Sequence, residues 1–171
     1  MPIAIDIPES VLPLFRAAGW PNTEQEVPQV TPLHHPATAI LREFHGLTVG
    51  KCVAGEECAT GDIAFGNDID YEQDNQILEW QKLLSTELVN IAEFCHAHGA
   101  LFIDTSGACY GMSLVHDAFW FLGASFGTAA ECILLGRKGQ PMLRPSQTSI
   151  TLFGERIEEN HPSVHKYKIG K

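Results

Sequence analysis

The sequence predicts a mixed fold, short β-strands with amphipathic helices in a single domain, and three observations predict it. The first is the stretch from Gly99 to Gly136, the densest ordered pattern in the chain. Here Leu101-Phe102-Ile103 and Cys109-Tyr110-Gly111-Met112 are β-prone runs parted by the turn residues Thr105-Ser106-Gly107, which is the signature of a β-hairpin. Ala118 to Leu122 is rich in aromatics and bounded by Asp117 and Gly123, so it reads as a third strand. Ser125 then caps a helix in which Phe126, Ala129, Ala130, Ile133 and Leu134 recur at helical spacing, with Gly136 as its stop. The second observation is helical periodicity upstream, over residues 11–18 and 36–44. The third is size: 171 residues suit one domain, which buries about 70% of its unfolded surface.

Taken in order, Ile3, Ile5 and Ile7 alternate with smaller or polar residues, as in a short edge strand or a docked tail over residues 1–10. The main domain is expected over 11–154. Val11, Leu14, Phe15 and Ala18 stand at i, i+3, i+4 and i+7, with Pro13 in the first turn and Gly19 as the stop. PNTEQEVPQVTP, with three prolines and many polar residues, is a connection or an extended edge. In the next helix Pro36 takes the first position after His35, and Ala37, Ile40, Leu41 and Phe44 form one stripe that ends at Gly46. Residues 48–53 and 62–65 read as two short strands joined by the polar loop AGEECATG. Asp74 or Asn75 caps a third helix with Ile77, Trp80, Leu83 and Leu84 on its inner face. Residues 87–95 are ambiguous, because Leu88, Val89, Ile91 and Phe94 fit either a continued helix or a short strand and loop. RKGQPMLRPSQ reads as a loop. Residues 148–153 alternate, as in a last strand that closes a sheet edge. Residues 155–171 form a charged C-terminal tail with partial order at most.

Composition narrows the function. The chain is 44% hydrophobic and 19% charged, which is ordinary for a globular protein. It has no apolar run long enough for a membrane span and begins without a basic, apolar leader, so a cytoplasmic protein with its five cysteines reduced is expected. A net charge of −10 argues against direct binding of nucleic acid; it allows a basic protein partner, and the plainer reading is that acidity keeps the protein soluble.

Candidate chemistry is sparse. Cys95-His96-Ala97-His98 has the residue types of a metal site but lacks the second ligand pair that a tetrahedral zinc centre needs, and the spacing of Cys52 and Cys58 is too loose for a zinc knuckle. The segment reads as a polar turn before a strand, with no metal or cofactor. Asp104 and Asp117 with His116 could form an acid–base group, but Asp104 before Thr-Ser-Gly is more simply a turn residue. Ser106 lacks the hydrolase-elbow context, and no glycine pattern marks a phosphate or dinucleotide site. A non-enzyme is expected. An enzyme or metal-dependent protein using Cys95, His96, His98 or Asp104 is the weaker alternative.

One interval is unusual. Between Lys51 and Lys82 there is no basic residue, while Glu56, Glu57, Asp62, Asp68, Asp70, Glu72, Asp74 and Glu79 supply eight carboxylates. Residues 137–171 reverse the balance, with seven basic residues against three acidic ones. The interval reads either as a solvated acidic loop or as a docking face for a basic protein. The spacing of a calcium loop is not met.

LFRAAGW, LREFHGL, LFIDTSGACYG and FLGASFGTAAECILLG stand in an order that resembles the SUKH superfamily of bacterial immunity proteins, specifically its third branch, over residues 11–143. The chain departs from the family pattern at Pro21-Asn22-Thr23, at Ala108 after Gly107, and at His45. The resemblance implies an α+β fold, a mostly antiparallel, curved sheet flanked by helices, in which Leu88-Val89-Asn90-Ile91 becomes a strand. It also implies a non-catalytic protein that binds and neutralises a cognate toxin, often a nuclease or deaminase. In that role the eight carboxylates would be the protein-binding residues. An adaptor or small-ligand-binding domain on the same fold is the alternative.

Overall fold

The computed structural model of the chain describes residues 5–21, 34–66 and 68–169. The proline-rich connection from residue 22 to 32, and Ile3, lie outside the described residues. Among the described residues, four helices and nine strands follow in the order α1 (Leu12–Ala17), α2 (Pro36–Phe44), β1 (Thr48–Val49), β2 (Ile63–Phe65), α3 (Asn75–Leu84), β3 (Leu88–Phe94), β4 (Gly99–Asp104), β5 (Cys109–Ser113), β6 (Phe119–Gly123), α4 (Phe126–Leu135), β7 (Gln140–Met142), β8 (Ser149–Leu152) and β9 (Glu155–Glu158). The fold is α+β: β1 to β7 form one antiparallel meander in sequence order, and β8 and β9 pair separately.

Side-chain alternation sorts the core into two layers. On β4, Leu101 and Ile103 face a layer holding Phe15, Leu41, Phe44, Phe126 and Ile133 from α1, α2 and α4. Ala100 and Phe102 face the opposite layer, with Ile77 and Trp80 of α3. Every residue of β4 is buried, as a central strand covered on both faces must be. Gly111 lies in the middle of β5 because an added Cβ would come within 2.6 Å of the Trp120 ring.

Helix ends are built as the sequence predicts. His35 Nδ1 accepts from Ala37 N at 3.1 Å, while its Nε2–H points to Glu87 O at 3.3 Å, so the buried ring starts α2 and ties it to β3. Asp74 caps α3 by accepting from Gln76 N and Ile77 N. Ser125 caps α4, and Gly136 ends it with a φ of 70°.

Several expectations are corrected or resolved. Residues 88–94 are strand, paired on both sides by β2 and β4. A β-bulge lies between Asn90 and Ala92, so Leu88 faces the α3 layer while Ala92 and Phe94 face the other. Buried Asn90 satisfies the disturbed ladder, its Nδ2 donating to Ala92 O and Leu101 O at 3.0 and 3.1 Å. The first expected strand, 48–53, is cut to two residues. The loop after Gly136 contains β7, an edge strand, where Pro141 is tolerated.

Residues 148–153 do not close the sheet. β8 instead pairs with β9 through the two-residue turn Phe153-Gly154, both with φ above zero. The tail, rather than β8, meets β7: His165 N donates to Pro141 O at 2.8 Å, and its ring stacks on Phe121 at 4.1 Å. Tyr167 donates to Leu143 O at 2.7 Å. The charged C-terminal stretch thus carries a strand and anchored aromatic residues. Among described residues 5–8 there is no strand, and Ile5 and Ile7 pack on the main core.

Candidate functional site: an acidic groove beside α3

The eight carboxylates do not form one surface. Glu56 and Glu57 sit in the β1–β2 loop, whose backbone N–H groups donate to the last carbonyls of α4, at Leu135 and Gly136. Glu56 pairs with Arg137 at 2.7 Å, and Glu57 accepts from Lys138 N at 2.7 Å. Glu79 pairs with Arg144 at 2.8 Å, and the same guanidinium, only 14% exposed, also holds Asp117. Asp74 is the α3 cap. Folding therefore returns Arg137, Lys138 and Arg144 from the basic C-terminal stretch to the acidic interval.

Asp68, Asp70 and Glu72 are different. They are exposed, and none makes an ion pair among the described residues. Asp70 Oδ1 accepts from Glu72 N at 2.8 Å, which shapes the turn before α3. With Glu87, just before β3, they line a groove of about 640 Å³ whose walls include Ile69, Tyr71, Ile77 and Leu88. Ile69 is 46% exposed at this site. The Tyr71 hydroxyl is buried without a partner among the described residues. Burial, with Glu93 and Asp74 nearby, raises its pKa, so it remains a neutral donor. Four carboxylates around a partly apolar groove would hold a cationic side chain and cover its methylene stem.

Asp62, the remaining member, points elsewhere. Its carboxylate meets the Cys52 thiol at 3.4 Å, the His96 amide at 2.9 Å and His96 Nδ1 at 3.6 Å. Burial pushes this carboxyl up, but the hydrogen bonds from His96 N and Cys52 outweigh burial and hold it below its ordinary value. Cys95-His96-Ala97-His98 is the β3–β4 turn, with three successive residues at positive φ, Cys95 to Ala97. Asp104 and Asp117 serve separate networks, Asp104 in the β4–β5 turn and Asp117 on Arg144.

All five cysteines are free thiols. Burial pushes Cys95 up to about 11 and Cys132 up to about 12, and it raises Cys52, Cys58 and Cys109 as well. The thiolate is the nucleophile, so at pH 8 iodoacetamide should modify the native protein far more slowly than the urea-unfolded chain. A rapidly labelled native thiol, located by mass spectrometry, would contradict this. The thiols therefore favour the folded state below their unfolded pKa of about 8.5 and lose that contribution as pH rises through their folded values.

The fold and this groove define a class: a single antiparallel α+β scaffold with an acidic concavity and, among the described residues, no helix long and apolar enough to cross a membrane. The family model for SUKH-3 immunity proteins matches residues 7–136, most of the chain, and the chain belongs to that family. Neither the curated proteins nor the solved structures compared with it gave a match. Membership implies toxin neutralisation and a cognate toxin as partner, in a family that is generally non-catalytic.

Proposed function

We propose that this protein neutralises its toxin by seating a basic surface of the toxin in the groove formed by Asp68, Asp70, Glu72 and Glu87. The observation that carries the reading is the contrast within the acidic interval: Glu56, Glu57, Asp62, Asp74 and Glu79 are engaged by the protein's own groups, whereas these groove carboxylates are exposed around a concavity. A nuclease- or deaminase-type toxin that binds nucleic acid presents a basic face, and carboxylates set against it would occupy the position of the phosphates and exclude substrate. The protein then acts by binding, in the cytoplasm, with no direct contact to nucleic acid.

The test uses a toxin domain encoded beside this chain. Asp68→Lys, Asp70→Lys and Glu72→Lys together should lower the association rate by at least about tenfold at low salt and flatten its salt dependence. The circular dichroism spectrum should not change. Glu155→Lys, Glu158→Lys and Glu159→Lys, an equal change of charge elsewhere, should have a much smaller effect. Equal losses in the two variants, or an unchanged rate in the first, would remove the groove from the interface.

A further inference from the structure

We propose that Cys52, Asp62 and His96 form a binding site for a divalent transition metal of the zinc class, with a solvent ligand at the fourth position. The three side chains come from separate segments: Cys52 from the loop after β1, Asp62 from the residue before β2, and His96 from the β3–β4 turn. One ligand atom from each lies within 4.8 Å of the others.

The spacing suits a small tetrahedral ion. Zinc bonds of about 2.0–2.3 Å to N, O and S place tetrahedral ligands about 3.3–3.8 Å apart. Here Cys52 Sγ is 3.4 Å from Asp62 Oδ1, and His96 Nδ1 is 3.6 Å from Asp62 Oδ2. These contacts end on different oxygens of one carboxylate, and with a single oxygen as ligand the three donor atoms lie within 4.8 Å of one another, so rotation of the Asp62 carboxylate and the exposed His96 ring brings them onto one face of the tetrahedron. The opposite side is open, because the His96 side chain is 71% exposed, and that leaves room for water.

The turn that carries His96 is held in place by the backbone and by Asp62. Cys95 N donates to Asp62 O at 3.1 Å, and His96 N donates to Asp62 Oδ1 at 2.9 Å. Three consecutive non-glycine residues in the left-handed region, Cys95, His96 and Ala97, are an uncommon conformation. It brings the imidazole back beside the carboxylate. The donor set is one thiolate, one imidazole and one carboxylate, a combination of N, S and O ligands that zinc accepts. Binding forms the metal–sulfur bond as the Cys52 thiol loses its proton to solvent.

Cobalt(II) reports such a site directly. Protein stripped with chelator, then titrated with Co2+, should take up one equivalent with a thiolate-to-cobalt charge-transfer band, and Zn2+ should abolish that band. Cys52→Ser should eliminate the band. His96→Ala, at an exposed position, should weaken Co2+ binding at least about tenfold, while Cys109→Ser, in the core, should leave the band intact where the variant folds. The wild-type titration decides independently of any variant: absence of a thiolate band overturns the proposal. So does a band that persists in Cys52→Ser, or unchanged affinity in His96→Ala.

Discussion

Phe44→Ala is expected to destabilise the protein by about 3–5 kcal/mol, the range for emptying a large aromatic site in a packed core. Phe44 is fully buried at the C-terminal end of α2. Its ring lies 5.1 Å from Phe15, 5.1 Å from Phe65, 5.5 Å from Phe126 and 6.0 Å from Trp20, so it touches α1, α4 and the sheet at once. These four rings cannot close around the void together, because each is anchored on a different element. A domain of this size has a total stability of about 5–15 kcal/mol, so the loss is a large fraction of it. Urea unfolding should show a lower midpoint at a similar slope. Leu78→Ala, at a 42% exposed position on α3, should stay within about 0.5 kcal/mol. If Phe44→Ala cost no more than Leu78→Ala, the aromatic cluster would not be the centre of the core.

Elements with strong local rules were legible in the sequence. α2 was marked at both ends, by His35-Pro36 and Gly46, with a clear stripe between, and the structure reproduces it. β3 is ambiguous in sequence because the bulge at Ile91 breaks its alternation, with Leu88 on one face and Ala92 and Phe94 on the other, while Leu88, Ile91 and Ala92 keep a helical spacing. β7 was masked by Pro141, whose missing N–H matters little on an edge. The placement of β8 depended on the outer edge of β7, where the His165 amide donates to Pro141, and no property of residues 148–153 encodes that.

For the acidic groove, the sequence located the charge but not its availability. Whether Glu56 is free is decided by Arg137, eighty-one residues away, and Glu79 by Arg144, sixty-five away. Charge separated along the chain is partly recombined in space, which leaves a smaller and more sharply bounded acidic surface. The same logic hid the neighbourhood of Asp62. Cys95-His96-Ala97-His98 lacks a partner pair within reach in sequence, while the fold brings Cys52 and Asp62 of the β1–β2 connection beside His96, at the end where Ile63 pairs with Phe94.

Asp104→Ala should be nearly as damaging as loss of Phe44, at about 3 kcal/mol, by a different mechanism. Asp104 is 6% exposed at the end of β4. Its Oδ1 accepts from Ser106 N at 2.8 Å, Ser106 Oγ at 2.6 Å and Ala108 N at 3.0 Å, and its Oδ2 accepts from Tyr110 Oη at 3.1 Å. One carboxylate thus closes the β4–β5 turn and satisfies a buried phenol on β5. Burial, with Asp104 beside it, pushes the Tyr110 pKa up, so the hydroxyl stays protonated and continues to donate. Alanine removes all four acceptor contacts. Ser106 can turn to water, but Ala108 N and the Tyr110 hydroxyl are left in a closed turn, at about 1–3 kcal/mol each. Asp104→Asn keeps one acceptor oxygen for the turn amides and presents an NH2 that the Tyr110 oxygen can accept, so its cost should be about 1 kcal/mol. Urea midpoints in the order wild type, Asn, Ala would establish that the turn is held by acceptor geometry. Equal losses for Asn and Ala would mean that the charge itself is what β4 and β5 require.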